Sequence, residues 1–147
     1  MNAYVVDASV AIKWVVAETG TAEALALIGN RLLAPALLQA EAANILWKKV
    51  KRGEMSANEA GIAARLLASF GVEFRSPDRG LTRALELAMA LNHPAYDCVY
   101  LALAEERGVP MVTADEKLIR LTQTARQSSG VLDRISVVPL RSQPAIN

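Results

Sequence analysis

Ala3-Tyr-Val-Val-Asp-Ala-Ser-Val-Ala-Ile-Lys-Trp14 opens with a short, β-branched apolar run that stops on an aspartate. Such a run is too short for a helix of ordinary length and reads as a buried strand over residues 3–6. A short helix is expected to follow from Ser9 to Val16. The same alternation continues along the chain. Strands are expected at Leu32–Ala34, Val72–Phe74, Pro110–Thr113 and Ile135–Val138. Between them lie helical stretches at 23–30, 37–52, 56–70, 79–91, 93–108 and 114–124, with Gln127-Ser-Ser-Gly130 expected as a loop. Ser56-Ala-Asn-Glu59 has the spacing of a capping box, and Gly53 follows a basic helix end, so several boundaries carry local signals. Strands alternating with helices indicate an α/β domain around a mainly parallel sheet.

The 147 residues suffice for one sizeable core, and no repeat or linker divides them, so a single domain over 1–147 is expected. A content of 52% hydrophobic and 21% charged residues excludes a disordered chain. Sixteen basic residues against fifteen acidic leave a net charge of +1. That balance argues against binding to nucleic acid through bulk charge, while a local basic patch stays open. The single cysteine, Cys98, cannot form an internal disulfide and reads as a small buried hydrophobe. No apolar stretch has the length of a membrane span, and residues 1–7 lack the pattern of a secretion signal, so a cytoplasmic location is the expectation.

Four acids stand out. Asp7 ends the first expected strand, and Asp115 lies two residues past the strand ending at Thr113. Ligands of open α/β sheets bind beyond the carboxyl ends of the strands, so the two could face one cleft. Each could equally cap the next helix, and Thr113-Ala-Asp-Glu116 fits a capping box. Glu41 and Asp97 instead interrupt apolar helical stretches, 37–47 and 94–103, where a carboxylate is rarely buried without a partner or metal. For Asp97, in a first helical turn, the helix dipole offers a simpler reason; Glu41 has none beyond a solvated outer face. Carboxylates without a Cys/His cluster suit hard cations, Mg²⁺ or Mn²⁺. Such an ion can activate water against a phosphodiester.

Four segments also match a known family in its order: Val5-Val-Asp-Ala-Ser-Val-Ala-Ile-Lys-Trp14, Pro35-Ala-Leu-Leu-Gln-Ala-Glu-Ala-Ala-Asn-Ile-Leu-Trp-Lys48, His93-Pro-Ala-Tyr-Asp-Cys-Val-Tyr-Leu-Ala-Leu-Ala104 and Val112-Thr-Ala-Asp-Glu-Lys-Leu118. The chain resembles the PIN-domain nucleases, in particular the VapC-type toxins of toxin–antitoxin pairs. The resemblance implies a three-layer α/β/α sandwich and Mg²⁺- or Mn²⁺-dependent endoribonuclease activity. It makes Asp7, Glu41, Asp97 and Asp115 the metal-site acids, with Asp7 and Asp97 nearest the principal ion. Ser9 and Thr113 match supporting positions, and Glu116 is the nearest candidate for a further acid. An RNA substrate, a cognate antitoxin and a homodimer are the implied partners. A solitary RNA-processing nuclease and a catalytically silent PIN-like binding protein are the alternatives.

Helical spacing adds supporting candidates. Asn44 and Lys48 lie three and seven residues after Glu41 and share its face, so Asn44 is expected to hydrogen-bond Glu41 and Lys48 to meet a phosphate. Lys13, on the helix bordering the cleft, is a second phosphate candidate. His93 is expected to shape the turn into its helix. Tyr100 lies one turn beyond Asp97, which allows a role near substrate, and Trp14 and Trp47 read as packing residues.

Overall fold

A computed structural model describes residues 2–141. Five parallel strands form the central sheet in the order β3-β2-β1-β4-β5. They are β1 (Ala3–Val6), β2 (Arg31–Ala34), β3 (Glu73–Phe74), β4 (Met111–Thr113) and β5 (Val137–Pro139). The helices are α1 (Ala8–Ala11), α2 (Thr21–Leu25), α3 (Leu37–Lys51), α4 (Ala57–Ala68), α5 (Gly80–Leu91), α6 (Ala95–Arg107) and α7 (Glu116–Ser128). Together they make the three-layer α/β/α sandwich. Parallel strands require crossover connections, which is why a helix intervenes between successive strands.

Central strands buried on both faces are largely apolar, and Val5, Val6, Leu33 and Met111 are almost wholly shielded. Helix α6 buries Cys98, Tyr100, Leu101, Leu103 and Ala104, so it presents little of its circumference to water. The chain builds outward from β1 through β2 to β3, then returns to the other side of β1 for β4 and β5. The carboxyl ends of β1 and β4 therefore flank the point where the strand order reverses, the usual ligand crevice of such sheets. Val6 pairs with Val112, so the next residues on the two strands, Asp7 and Thr113, emerge side by side.

Several boundaries differ from expectation. The first helix breaks after Ala11 into a 3₁₀ turn, Ile12–Trp14, and α2 is confined to Thr21–Leu25 rather than 23–30. Helix α7 runs through Gln127 and Ser128, which were expected in a loop; Gly130 then opens a second 3₁₀ turn. The capping box at Ser56 and Glu59 is formed as the spacing predicts.

Candidate active site

Asp7 caps the short α1 and is only 6% exposed. Its Oδ1 accepts from Ser9 Oγ at 2.5 Å and from the Val10 N–H at 3.3 Å, while Oδ2 accepts from Thr113 Oγ1 at 2.5 Å. Both hydroxyls are themselves held. Ser9 Oγ accepts from the Ala114 N–H, and Thr113 Oγ1 from the Asp115 N–H. Segments 104 to 106 residues apart are thus laced together around one carboxylate. Burial raises the Asp7 pKa from its ordinary 3.8 to about 6; the Ser9, Thr113 and Val10 bonds oppose the rise, and repulsion from Asp97 adds to it.

Glu41, on α3, receives a 2.6 Å hydrogen bond to Oε1 from the hydroxyl of Tyr100 on α6. Partial burial pushes the Glu41 carboxyl above its usual range, Tyr100 opposes this, and Asp97 reinforces it. Tyr100 is fully buried, and its phenol is held far above the ordinary value, by burial first and then by Glu41, Asp7 and Asp97. Asp97 acts electrostatically on Asp7, Glu41 and Tyr100, so three carboxylates share one neighbourhood. Its Oδ2 lies 2.6 Å from His93 Nε2. Among the described residues no lysine or arginine is ion-paired with Asp7, Glu41, Asp97 or Asp115.

Asp115 sits at the end of β4 as the N-cap of α7, with Oδ1 accepting from the Lys117 and Leu118 N–H groups. The cap is Asp115 and not Thr113, whose hydroxyl is committed to Asp7; Glu116 is an exposed first helical residue. Asn44 and Lys13 do not stand as the sequence suggests. Asn44 is exposed and its side chain has no hydrogen bond among the described residues; Tyr100, from another helix, is the hydrogen-bond partner of Glu41. Lys13 is not a free cation, because its Nζ is bound to Glu18 Oε1 at 3.1 Å and the Thr19 carbonyl at 2.8 Å. Gly20, at φ +92°, makes room for that fold-back, since a Cβ there would meet Lys13 Cδ at 3.2 Å. Lys48 is exposed and unpaired among the described residues. His93 and Tyr100 went unassigned as carboxylate partners. The spacing of four residues from His93 to Asp97 is a usable signal; nothing local links Tyr100 to Glu41, 59 residues away.

The donor set fits a hard divalent cation. Asp7 keeps a lone pair on Oδ2, and Asp97 Oδ1 and Glu41 Oε2 have no partner among the described residues. The opposite oxygens of Glu41 and Asp97 are pinned by a phenol and an imidazole, the kind of outer layer that orients metal-binding carboxylates. Among the described residues no three His, Cys, Asp or Glu side chains form a ready-made metal cage. Mg²⁺ does not need one, since it commonly keeps several waters and takes one or two carboxylates.

Residues 4–123 match the model of the PIN domain family, and the chain belongs to that family. Within it, the chain is similar to "Ribonuclease VapC3" of Pyrobaculum aerophilum, with 35% identity over 80 residues. The match covers 53% of this chain and 61% of the relative, so it spans less than two thirds of that protein's length. In three dimensions the chain resembles the crystal structure of PAE2754 from Pyrobaculum aerophilum, with a TM-score of 0.67 over 95% of this chain and 91% of the other. At 21% identity that likeness speaks to the fold.

Proposed function

We propose that the chain is a metal-dependent endoribonuclease, the toxin of a type II toxin–antitoxin pair. One observation carries the reading. A buried Asp7, hydrogen-bonded but without a cationic partner among the described residues, stands at the switch point of the sheet, within the electrostatic reach of Asp97, which also acts on Glu41. Burying such a carboxylate is costly unless a cation relieves it, and the protein supplies none from its own side chains among the described residues.

Asp7 and Asp97 would hold the ion, with Glu41 and Asp115 completing the acidic set. A bound Mg²⁺ or Mn²⁺ supplies Lewis acidity that activates water and stabilises the leaving oxygen of an RNA phosphodiester. The chain's own groups do the positioning. Ser9 and Thr113 fix Asp7, Tyr100 fixes Glu41, and His93 fixes Asp97. The VapC likeness supports an antitoxin and a second copy of the chain as partners, and Leu81, Leu85 and Met89 leave an apolar stripe exposed on α5. Among the described residues no helix is long and apolar enough to cross a membrane, which is compatible with action in the cytoplasm.

The test uses metal-free protein, a labelled single-stranded RNA, and added Mg²⁺ or Mn²⁺. Cleavage is expected only with the ion and not with Asp7→Asn. Undiminished cleavage in EDTA, or by the Asp7→Asn protein, would overturn the proposal.

A further inference from the structure

The face of α7 beside the acidic site changes character along its length. Glu116, Arg120 and Gln123 lie at positions i, i+4 and i+7 and line one groove of about 530 Å³. Pro139 at the end of β5, Leu140, Arg141 and Thr113 also line it. Thr113 is the residue whose hydroxyl binds Asp7 at 2.5 Å, so one lining residue links the groove to the acidic site, although none of the four acids lines it. The guanidinium groups of Arg120 and Arg141 have no hydrogen-bond or ion-pair partner among the described residues, and both residues are exposed. Lys13 also lines this groove, but its charge is already met by Glu18.

We infer that this groove is the track for the phosphate backbone of a single-stranded polynucleotide running away from the cleavage point, with Arg120 and Arg141 as its phosphate contacts. The inference rests on the nuclease reading above. An acidic end attracts the cation, and a basic continuation attracts the polyanion that the cation must meet. Guanidinium forks suit phosphate oxygens, and Gln123 adds an amide able to donate to phosphate or base. The substrate contacts are thereby moved from Lys13, which is paired with Glu18, to two unpaired arginines lining the same groove. A protein ligand with an acidic tail would also feel these charges, but a groove tied through Thr113 to the proposed cleavage site favours the substrate.

The experiment measures binding of a short fluorescent single-stranded RNA by anisotropy, in EDTA to prevent cleavage, over a range of KCl concentrations. The double variant Arg120→Gln/Arg141→Gln is compared with Arg65→Gln/Arg107→Gln, which removes the same charge from exposed positions outside the groove. Loss of two phosphate contacts is expected to lower the slope of log K against log salt by about 1.4, at about 0.7 per contact for single strands. The control pair is expected to leave the slope unchanged. In the cleavage assay the groove variant should raise KM several-fold with kcat nearly constant, as for a contact made equally in ground and transition states. Equal losses from both pairs, or an unchanged slope in the groove variant, overturn the track while cleavage by the wild type leaves the nuclease reading intact. A wild type that neither binds nor cleaves RNA overturns both.

Discussion

Replacing Asp7 with asparagine is expected to make the metal-free protein more stable near neutrality while abolishing its proposed activity. The folded chain keeps the Asp7 proton to about pH 6, against an ordinary 3.8. The difference corresponds to about 3 kcal/mol. The sign follows from which state holds the proton more tightly. That state is the folded one, so its stability is fullest below pH 4, declines as pH rises through 6, and is lowest above. Asparagine is uncharged and escapes the decline. The asparagine keeps one acceptor oxygen, so only one of Ser9 and Thr113 must turn its hydroxyl to accept from the new amide, at a cost of about one hydrogen bond, roughly 1 kcal/mol. A net gain of about 2 kcal/mol is therefore expected at pH 7.5, shrinking and reversing toward pH 4. Urea unfolding in EDTA at pH 4, 6 and 7.5 measures it. Mg²⁺ should then raise the stability of the wild type alone, because only it retains the charge that binds the ion. A variant no more stable than wild type at pH 7.5, or a difference that ignores pH, would refute the assignment of Asp7 as a buried charge awaiting a cation.

Asp115 separates capping from chemistry. Asp115→Asn retains a capping oxygen and should unfold like wild type, whereas Asp115→Ala should lose about 1 kcal/mol in urea titrations; both should lose RNA cleavage, and full activity in the asparagine variant would reduce Asp115 to a cap. Tyr100→Phe removes the partner of Glu41, so stability should fall by about 1 kcal/mol. With the opposing hydrogen bond gone the Glu41 carboxyl should rise further, and the acid limb of the pH–rate profile should move to higher pH; an unmoved limb would deny Tyr100 its role.

The strand–helix alternation and the placing of Asp7 at a strand end were legible because they depend on local patterns: β-branched runs, the Ser56 capping box, a glycine after a basic helix end. What failed was decided by packing at a distance. Helix α7 continues through a Gln-Ser-Ser stretch because its inner face buries Leu118 and Thr122, and Arg126 reaches the Ile135 carbonyl beyond it. Helix α2 is short because Leu27 to Asn30 turn into β2, with Gly29 at φ +105°. At the site, helical spacing favoured Asn44 as the partner of Glu41. The observed partner comes from α6, and only the assembled sandwich brings α3 and α6 together. Lys13 looked free for the same reason, since its neutralisation depends on a chain reversal at Gly20 that residue type alone does not reveal.

The lacing of Asp7 to Thr113 has a consequence for biosynthesis. Asp7 is synthesised before its second hydroxyl partner, Thr113, which follows 106 residues later. At about 5–20 residues per second, the growing polypeptide spends roughly 5–20 s without that partner. Throughout this interval β4 is absent from its place beside β1, and the crevice has one wall. On the proposed nuclease reading, a nascent chain surrounded by the cell's RNA therefore has no assembled site until β4 has been made and has paired with β1.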